Sequence, residues 1–151
     1  MSKVSTELSS IRVVPLEGDA LDAKVFLRPD AIHGAGPGTL GSELNAEGRK
    51  FMPMSVGGEI LLYRLSWIAY AAAEHALPEL AELEEVGAIK QGVELTLTTG
   101  DVLSGKLVFL MPEQSSRVSD VLNSPGHQFL LLVSDGACTY VNREAIVCVR
   151  E

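Results

Sequence analysis

The chain is poor in aromatic residues and cysteines, and positive charges are outnumbered by negative ones. Aromatic side chains make up 5% of its 151 residues, and there are two cysteines. Lys and Arg number 12 against 20 Asp and Glu, which gives a formal net charge of −8. Because binding to nucleic-acid phosphates needs clustered Lys and Arg, this balance disfavours nucleic acid as the main partner. A local basic patch stays open as an alternative.

No stretch of the sequence predicts a membrane span or a secretory leader. The most apolar run, residues 60–73, is too short to cross a bilayer and contains Arg64, so we interpret it as core. Residues 1–10 lack the basic and then apolar segments of a leader, and we expect a cytoplasmic protein without membrane insertion. Cys138 and Cys148 are expected to be reduced, buried thiols, with a disulfide or a metal pair as the alternative.

Motifs for catalysis and for metal binding are also missing from the sequence. His33, His75 and His127 stand in separate loop or linker segments, with no spacing that places two of them on one face. There is no Gly-x-Ser-x-Gly elbow and no Cys-His pair, and the Gly-rich segment 34–38 does not join a strand to a helix. We therefore expect no enzymatic activity, no cofactor and no metal site.

What the sequence does contain is a strand-forming, aliphatic pattern that occurs twice. The Gly-Asp turn of segment 14–29 aligns with that of segment 95–112 at an offset of 82 residues (100 − 18). Segment 43–71 matches segment 121–149 at an offset of 78 without a gap (121 − 43). We interpret this pattern as an internal duplication, in which the first copy carries four more residues in a Gly-rich loop. The matched positions are Gly18-Asp19 with Gly100-Asp101, Leu44-Asn45 with Leu122-Asn123, Gly48 with Gly126, Phe51 with Phe129, Gly58 with Gly136, and Ile68 with Ile146.

Each copy predicts the same five strands, joined mostly by tight turns. Gly57-Gly58 and Asp135-Gly136 are residue pairs that a two-residue hairpin turn needs, since its central residues take positive φ. The predicted fold class is mainly β, with two tandem five-stranded small barrels of the SH3-like or Sm-like kind. The predicted boundaries are 1–72 and 92–151 for the barrels and 73–91 for a helical linker.

The linker and the strand surfaces predict how the two copies are arranged. Pro78 suits the first turn of a helix and Gly87 its end, so one short helix is expected between the copies. The strands of the later hairpins are apolar on both faces. We therefore expect the two copies to pack against each other, or against a second chain.

The segment Arg-Val-Ser-Asp-Val-Leu-Asn at 117–123 predicts a short helical turn between two strands. Ser119 is expected to cap the turn, with Asp120 near its positive end. Leu122 is expected to point inwards, and Asn123 to end the turn in the left-handed backbone conformation. The first copy keeps only the Leu-Asn pair, which favours a structural connector. A binding role for Arg117 and Asp120 is the alternative.

Two equivalent bends, at the ends of the fourth predicted strands, carry the other candidate binding residues. Arg64 stands at the first bend and the pair Asn142-Arg143 at the second. An arginine at such a bend can bind a partner, or it can hydrogen bond loop carbonyls. The candidate binding residues are therefore Arg64, Arg117, Asp120, Asn142 and Arg143.

The segments VELTLTTGDVLSGKL and TYVNREAIVCVRE resemble those of the Sm-like small barrels. Gly100 and Gly105 match the turn glycine and the bent-strand glycine of that family, and the resemblance extends over roughly 93–150 and 11–71. It implies a small-barrel topology and assembly through barrel edges. The chain departs from the family where RNA bases stack, because an insertion replaces the Asp-x-x-Met-Asn segment, and Glu144 stands where the closing motif has Gly. A similarity to uncharacterised bacterial domains with an Arg-Val-Ser-Asp-x-Leu-Asn segment implies no activity.

Three functions are consistent with these observations. The first is a non-enzymatic protein-protein interaction or scaffold module in a bacterial cytoplasmic regulatory or motility assembly, with a protein partner or self-association. The second is an Sm-like RNA-binding protein. The third is a sensor that holds a small ligand between the two barrels, near Tyr63 and Trp67.

Overall fold

A computed structural model describes residues 7–27, 40–73, 78–110, 117–124, 126–135 and 137–151. Ten strands of these segments form one antiparallel sheet, and three short helices pack beside it, so the mainly β class is confirmed. The elements of the first half are β1 (Glu7–Pro15), β2 (Leu21–Leu27), α1 (Leu40–Leu44), β3 (Phe51–Val56), β4 (Glu59–Arg64) and β5 (Ile68–Ala73). Those that follow are α2 (Pro78–Glu85), β6 (Ile89–Leu97), β7 (Val102–Phe109), α3 (Val118–Asn123), β8 (Phe129–Ser134), β9 (Ala137–Asn142) and β10 (Ile146–Arg150).

The strands form where apolar residues alternate with polar ones, and they end at turns that glycine permits. In β6, Val93, Leu95 and Leu97 are buried while the residues between them are partly exposed, as the alternation predicts. The β3–β4 hairpin turns at Gly57 and Gly58, whose φ angles of 60° and 81° are those of the expected two-residue turn. The helix expected in the linker is α2, which begins at Pro78.

The order of strands in the sheet repeats between the two halves. The whole order is β10-β6-β7-β8-β9-β5-β1-β2-β3-β4, so in each half the fifth strand lies beside the first, followed by the second, third and fourth. The pairing registers repeat as well. Lys24 pairs with Ser55 in the first half, and Lys106 pairs with Val133 at the matching place in the second. The irregularity in the pairing of fifth and first strands also recurs, at Ala69 and at Val147.

The two halves are joined by β5 and β9, which pair antiparallel over four residues. Ala71 faces Tyr140 and Ala73 faces Cys138, and all four residues are buried. The first hydrophobic cluster contains the core of the first half together with Phe129 and other residues of β8 and β9. The second cluster lies between the strands of the second half and α3. The first core therefore contains buried residues from both halves, whereas the buried residues of the second core all come from the second half.

Several details of α3 differ from the sequence-based expectation. Ser119 lies inside the helix and does not cap it, because the helix begins one residue after Arg117. Asp120 instead accepts a hydrogen bond from the backbone N–H of Arg117 at 3.2 Å. Asn123 does not take the left-handed conformation, and the side chain of Leu122 is only half-buried. The buried side chains of this helix are those of Val118 and Val121, whose three-residue spacing places them on one face.

The expectation that residues 60–73 form core holds only for the second part of that run. The strand β5 is buried, but Ile60, Leu61 and Leu62 of β4 are exposed. The reason lies in the strand order, since β5 has a neighbour on each side and β4 lies at the end of the sheet. The expected loop insertion at 30–41 falls mostly outside the described residues, as do His33 and His75.

Candidate interaction site

The side chain of Asn142 stabilises the bend after β9. Asn142 is fully buried, and its Nδ2 donates to the carbonyl oxygen of Ile68 at 2.9 Å. Its Oδ1 accepts from the backbone N–H of Glu144 at 3.0 Å and from Nε2 of Gln128 at 2.5 Å. These bonds are all internal, and the one to Ile68 connects the two halves. Asn142 therefore contributes to the packing of the halves and not to an open binding surface.

Arg143 is also engaged within the protein. Its guanidinium donates to the carbonyl oxygen of Ser124 and, at 2.5 Å, to that of His127. This arrangement corresponds to the alternative in which the arginine hydrogen bonds loop carbonyls. Nε of Arg143 is buried and has no hydrogen-bond partner within the described ranges. Arg143 therefore joins the segment before β8 to the end of β9.

The other three predicted residues are exposed or lie at a helix end. The guanidinium carbon of Arg64 is 4.7 Å from the centroid of the Phe51 ring, a cation–π contact on the surface. Arg117 and Asp120 lie at the start of α3, where the carboxylate of Asp120 satisfies a backbone N–H. Four strands separate β4 from β9 in the sheet order, so Arg64 does not share a strand edge with Asn142.

The side chain of Asn45, which was not among the predicted site residues, also joins the two halves. The Oδ1 of Asn45 accepts from the backbone N–H of Phe129 at 2.8 Å, and its Nδ2 donates to the carbonyl oxygen of Phe129 at 3.1 Å. Asn45 thus binds both backbone groups of one residue, as a neighbouring strand would. We call the β5–β9 pairing with the bonds of Asn45 and Asn142 the joint. The signal for Asn45 was present in the sequence, as the Leu-Asn pair that occurs in both copies.

Exposed aliphatic side chains line the outer edge of the sheet at β4. Ile60 is 63% exposed and Leu62 is 69% exposed, and Leu61 and Phe51 are exposed beside them. Within the part of the chain that the structure describes, β4 pairs with β3 alone, so its outer row of backbone groups has no strand partner. We call these four residues and the free side of the strand the β4 edge. Monomeric proteins usually protect such an edge with charge, proline or a covering loop.

The opposite end of the sheet, at β10, carries a shallow groove. The groove has a volume of about 290 Å³, and Val147 and Cys148 within it are exposed. The expectation of a buried thiol is therefore confirmed for Cys138 and wrong for Cys148, because β10 lies at the end of the sheet. In the described segments β10 pairs with β6 only, so this strand also has a free side. We call this surface the β10 groove. Its lining residues are Leu122, Arg143, Ile146, Val147, Cys148 and Val149.

A larger cavity, of about 930 Å³, lies between the helices and the strands β7 and β8. Apolar side chains such as Val108, Phe129 and Leu131 contribute to its wall. Tyr63 and Trp67 do not line it among the described residues, because their rings stack on each other elsewhere, with centroids 5.3 Å apart. The cavity therefore lacks the two aromatic residues that were expected near a ligand.

One titratable side chain near the joint has a shifted pKa. Burial raises the pKa of Tyr70 above its usual value of 10.0, and the negative charge of Asp101 raises it further. The hydroxyl of Tyr70 donates to Oδ2 of Asp101 at 3.3 Å, which connects β5 to the turn between β6 and β7. Because the neutral phenol is the form that donates, this bond favours protonated Tyr70.

Within the described ranges, no three His, Cys, Asp or Glu side chains come together in a group that could hold a metal ion. The helices in those ranges include none that is both long and apolar enough to span a membrane. Comparison of the chain with protein-family models, with curated proteins and with solved structures finds no match.

Proposed function

We propose that this chain is a non-enzymatic protein–protein interaction or scaffold module that binds a protein partner at the β4 edge. The observation that carries this proposal is the exposure of Ile60, Leu61 and Leu62 on a strand with a free side. Three adjacent aliphatic side chains lose part of their contact with water when a second strand pairs there. Backbone hydrogen bonds would supply the rest of the binding free energy.

We further propose that the chain consists of two tandem small barrels related by duplication, with edges that can pair. Support comes from the repeated strand order and registers. Phe51 pairs with Arg64 as Phe129 pairs with Asn142, and both pairs lie at the base of a hairpin between third and fourth strands. The edge of β9 is paired with β5 inside the chain, while the equivalent edge of β4 is free among the described residues. The placement in a bacterial cytoplasmic regulatory or motility assembly belongs to the same proposal.

The experiment is a quantitative pull-down from native lysate with the full chain and two variants. Leu62→Lys places a charge in the β4 edge, and Val102→Lys places the same charge at another exposed apolar position, on a strand with neighbours on both sides. We expect the wild type and Val102→Lys to enrich the same proteins, and Leu62→Lys to lose them at least about tenfold, which corresponds to 1.4 kcal/mol. Equal enrichment by all three chains would refute binding through this edge.

A sensor for a small ligand is a second candidate, which the cavity of about 930 Å³ favours. Its volume lies within the range of small-molecule sites, and its wall is largely apolar. A ligand that binds the native state must raise Tm by mass action. A thermal-shift screen against nucleotides and apolar metabolites is the test, and a flat response across the screen would exclude this function for the compounds used.

A further inference from the structure

We infer that the partner at the β4 edge is a second copy of this chain, and that copies associate head to tail through pairing of β4 with β10. This inference rests on the proposed function, in which β4 binds a protein, and it names that protein. We derive the geometry of this contact from the joint, which has an equivalent pairing inside the chain. There the fifth strand of the first half, β5, pairs with the fourth strand of the second half, β9.

The two free strands occupy the positions needed to repeat that pairing. The strand β4 is the fourth of its half, β10 is the fifth of its half, and they are the two ends of the ten-strand order. Each copy therefore has one surface of each kind. Two copies placed end to end would continue the sheet by joining the fifth strand of one to the fourth strand of the other, as already happens between the halves.

The register of this contact follows from the joint. Tyr70 pairs with Val141 there, and a shift of 78 residues in each strand converts this pair into Cys148 and Tyr63. The next pair, Ala71 with Tyr140, becomes Val149 with Leu62. No gap or bulge has to be added for this register, because the irregularity at Ala69 recurs at Val147.

The exposed residues of the β4 edge match residues that the joint buries. Phe51 is 44% exposed, while its counterpart Phe129 is 1% exposed. Leu62 is 69% exposed, while its counterpart Tyr140 is 4% exposed. The difference arises because β8 and β9 have the first half against them. A second copy at β4 would cover Phe51 and Leu62 in the same way.

The β10 groove matches the surface that receives β8 and β9 in the joint. Leu122, Ile146 and Val147 of the groove correspond to Leu44, Ile68 and Ala69. Those three counterparts are buried, and Leu44 and Ile68 lie in the same cluster as Phe129. Phe51 of the next copy is the aromatic side chain that the groove would accept.

A hydrogen-bonding side chain completes the match. Asn123 holds the position in α3 that Asn45 holds after α1, as the second residue of the Leu-Asn pair. Asn45 bonds to both backbone groups of Phe129, whereas the exposed Asn123 donates to the carbonyl oxygen of Ser119 at 2.8 Å. In the assembly Asn123 would instead bind the backbone of Phe51 in the next copy. The duplication of the Leu-Asn pair then has one cause, which is that both copies use it to hold a neighbour.

A contact between two different surfaces does not saturate in a symmetric dimer. It produces a closed ring where the rotation between copies closes, and a filament where it does not. Both products contain the β4–β10 pairing, and finding either one supports the inference.

The test uses two variants that each block one surface of the full chain. Leu62→Lys blocks the β4 edge, and Val147→Lys blocks the β10 groove. Both residues are more than half exposed in the single chain, so a lysine is tolerated in the fold. We expect the wild type to be multimeric by light scattering at about 100 µM, a concentration that populates a complex of micromolar Kd. We expect each variant alone to have the 16.1 kDa mass of one chain.

The decisive sample is the equimolar mixture of the two variants. Leu62→Lys retains an intact β10 groove and Val147→Lys retains an intact β4 edge, so the mixture should form a complex of two chains and nothing larger. A symmetric β4–β4 contact would instead leave the Val147→Lys variant dimeric by itself and would overturn the head-to-tail arrangement.

A strictly monomeric wild type would overturn the inference as well. The proposed function would then be judged separately, because a β4-dependent partner in the pull-down would retain it and the absence of such a partner would remove it.

The native Cys148 allows the register to be tested by disulfide crosslinking. The backbone N–H of Arg143 donates to the carbonyl oxygen of Gln128, so it points towards β8. Because backbone groups point to alternate sides along a strand, those of Val141 also point towards β8 and away from β5. Val141 and Tyr70 are therefore a non-hydrogen-bonded pair. Such pairs have Cα atoms about 4.5 Å apart, close enough for a disulfide. A Tyr63→Cys variant should therefore crosslink to Cys148 of the next copy under mild oxidation. A Glu59→Cys control should not, and equal crosslinking by both variants would contradict the register.

Discussion

The strands β4 and β9 occupy the same place in their two halves and have opposite surroundings. Both pair antiparallel with the third strand of their half, and both end at a 3-10 turn that leads to the fifth strand. Yet β9 is mostly buried and β4 is mostly exposed. The difference shows that burial in this protein depends on the neighbour a strand receives, and not on its apolar content. The more aliphatic of the two strands is the exposed one.

The polar residues at the ends of these strands suit their different neighbours. Asn142 is buried and both polar atoms of its side chain are hydrogen bonded, which the permanent contact within one chain allows because its partners are always present. Arg64 stands at the matching place in β4, where it is exposed and lies over Phe51. A charged residue at the rim of a contact stays hydrated when the contact opens. This hydration of Arg64 is what the proposed association at the β4 edge requires if the contact is to open and close.

The largest expected difference is in the free energy of unfolding of the alanine variants at the two matching phenylalanines. Phe129→Ala should lower the free energy of unfolding by about 3–5 kcal/mol, because a fully buried ring is removed. Phe51→Ala should lower it by less than about 1 kcal/mol in the monomer, since much of that ring is already in water. Urea unfolding at low protein concentration measures both values. Equal losses would mean that the two edges do not differ as described.

Alanine substitution should also destabilise the chain more at Asn45 than at Asn123, the two asparagines of the Leu-Asn pairs. This difference in stability should be smaller than that between the phenylalanine variants. Asn45→Ala removes both side-chain bonds to Phe129 and should cost about 1–3 kcal/mol of stability. Asn123→Ala should change monomer stability by less than about 0.5 kcal/mol, because its bond to Ser119 is exposed. It should weaken self-association in light scattering. An Asn123→Ala chain that associates like the wild type would remove this side chain from the proposed contact.

The smallest expected effect concerns Tyr70, whose counterpart in β10 is Cys148. The folded pKa of Tyr70 lies above that of the unfolded chain, so the stability it contributes is fully present below about pH 10. That contribution is lost as the pH rises through the folded value. The Tyr70→Phe variant should therefore lose less stability than the wild type between about pH 9 and 11. Urea unfolding across this range checks the difference, and parallel losses in both chains would show that the pKa of Tyr70 is not raised in the folded state.

Much of the local structure could be predicted from the sequence, because short-range rules determine it. The Gly57-Gly58 turn, the alternation in β6 and the start of α2 at Pro78 each depend on neighbouring residues alone. The capping of α3 was predicted wrongly, since several polar residues within 117–123 compete for one helix start and the apolar face decides between them. Val118 and Val121 are the residues that the surrounding core accepts, and their burial places the helix start at Val118, with Arg117 as the residue before it.

The candidate site could be predicted from the sequence less well than the local structure. Arg143 and Asn142 were selected as polar residues beside strands, and the structure uses both internally. Asn45 was not selected, because nothing local shows that its amide reaches Phe129, 84 residues away. The aliphatic run of β4 was interpreted as core, because an apolar strand at a sheet end has the same composition as one in the middle.

The amino-acid sequence by itself determined the mainly β class, the turns and the offsets of 82 and 78 residues between matching segments. These follow from side-chain alternation and from backbone angles that glycine permits, and both are local properties. Only the tertiary structure decided that β9 pairs with β5 while β4 and β10 are left at the two ends. Strand pairing over long separations depends on which edges meet in space, and a repeated pattern offers more than one edge that would fit. The exposed surface of β4 follows from that choice.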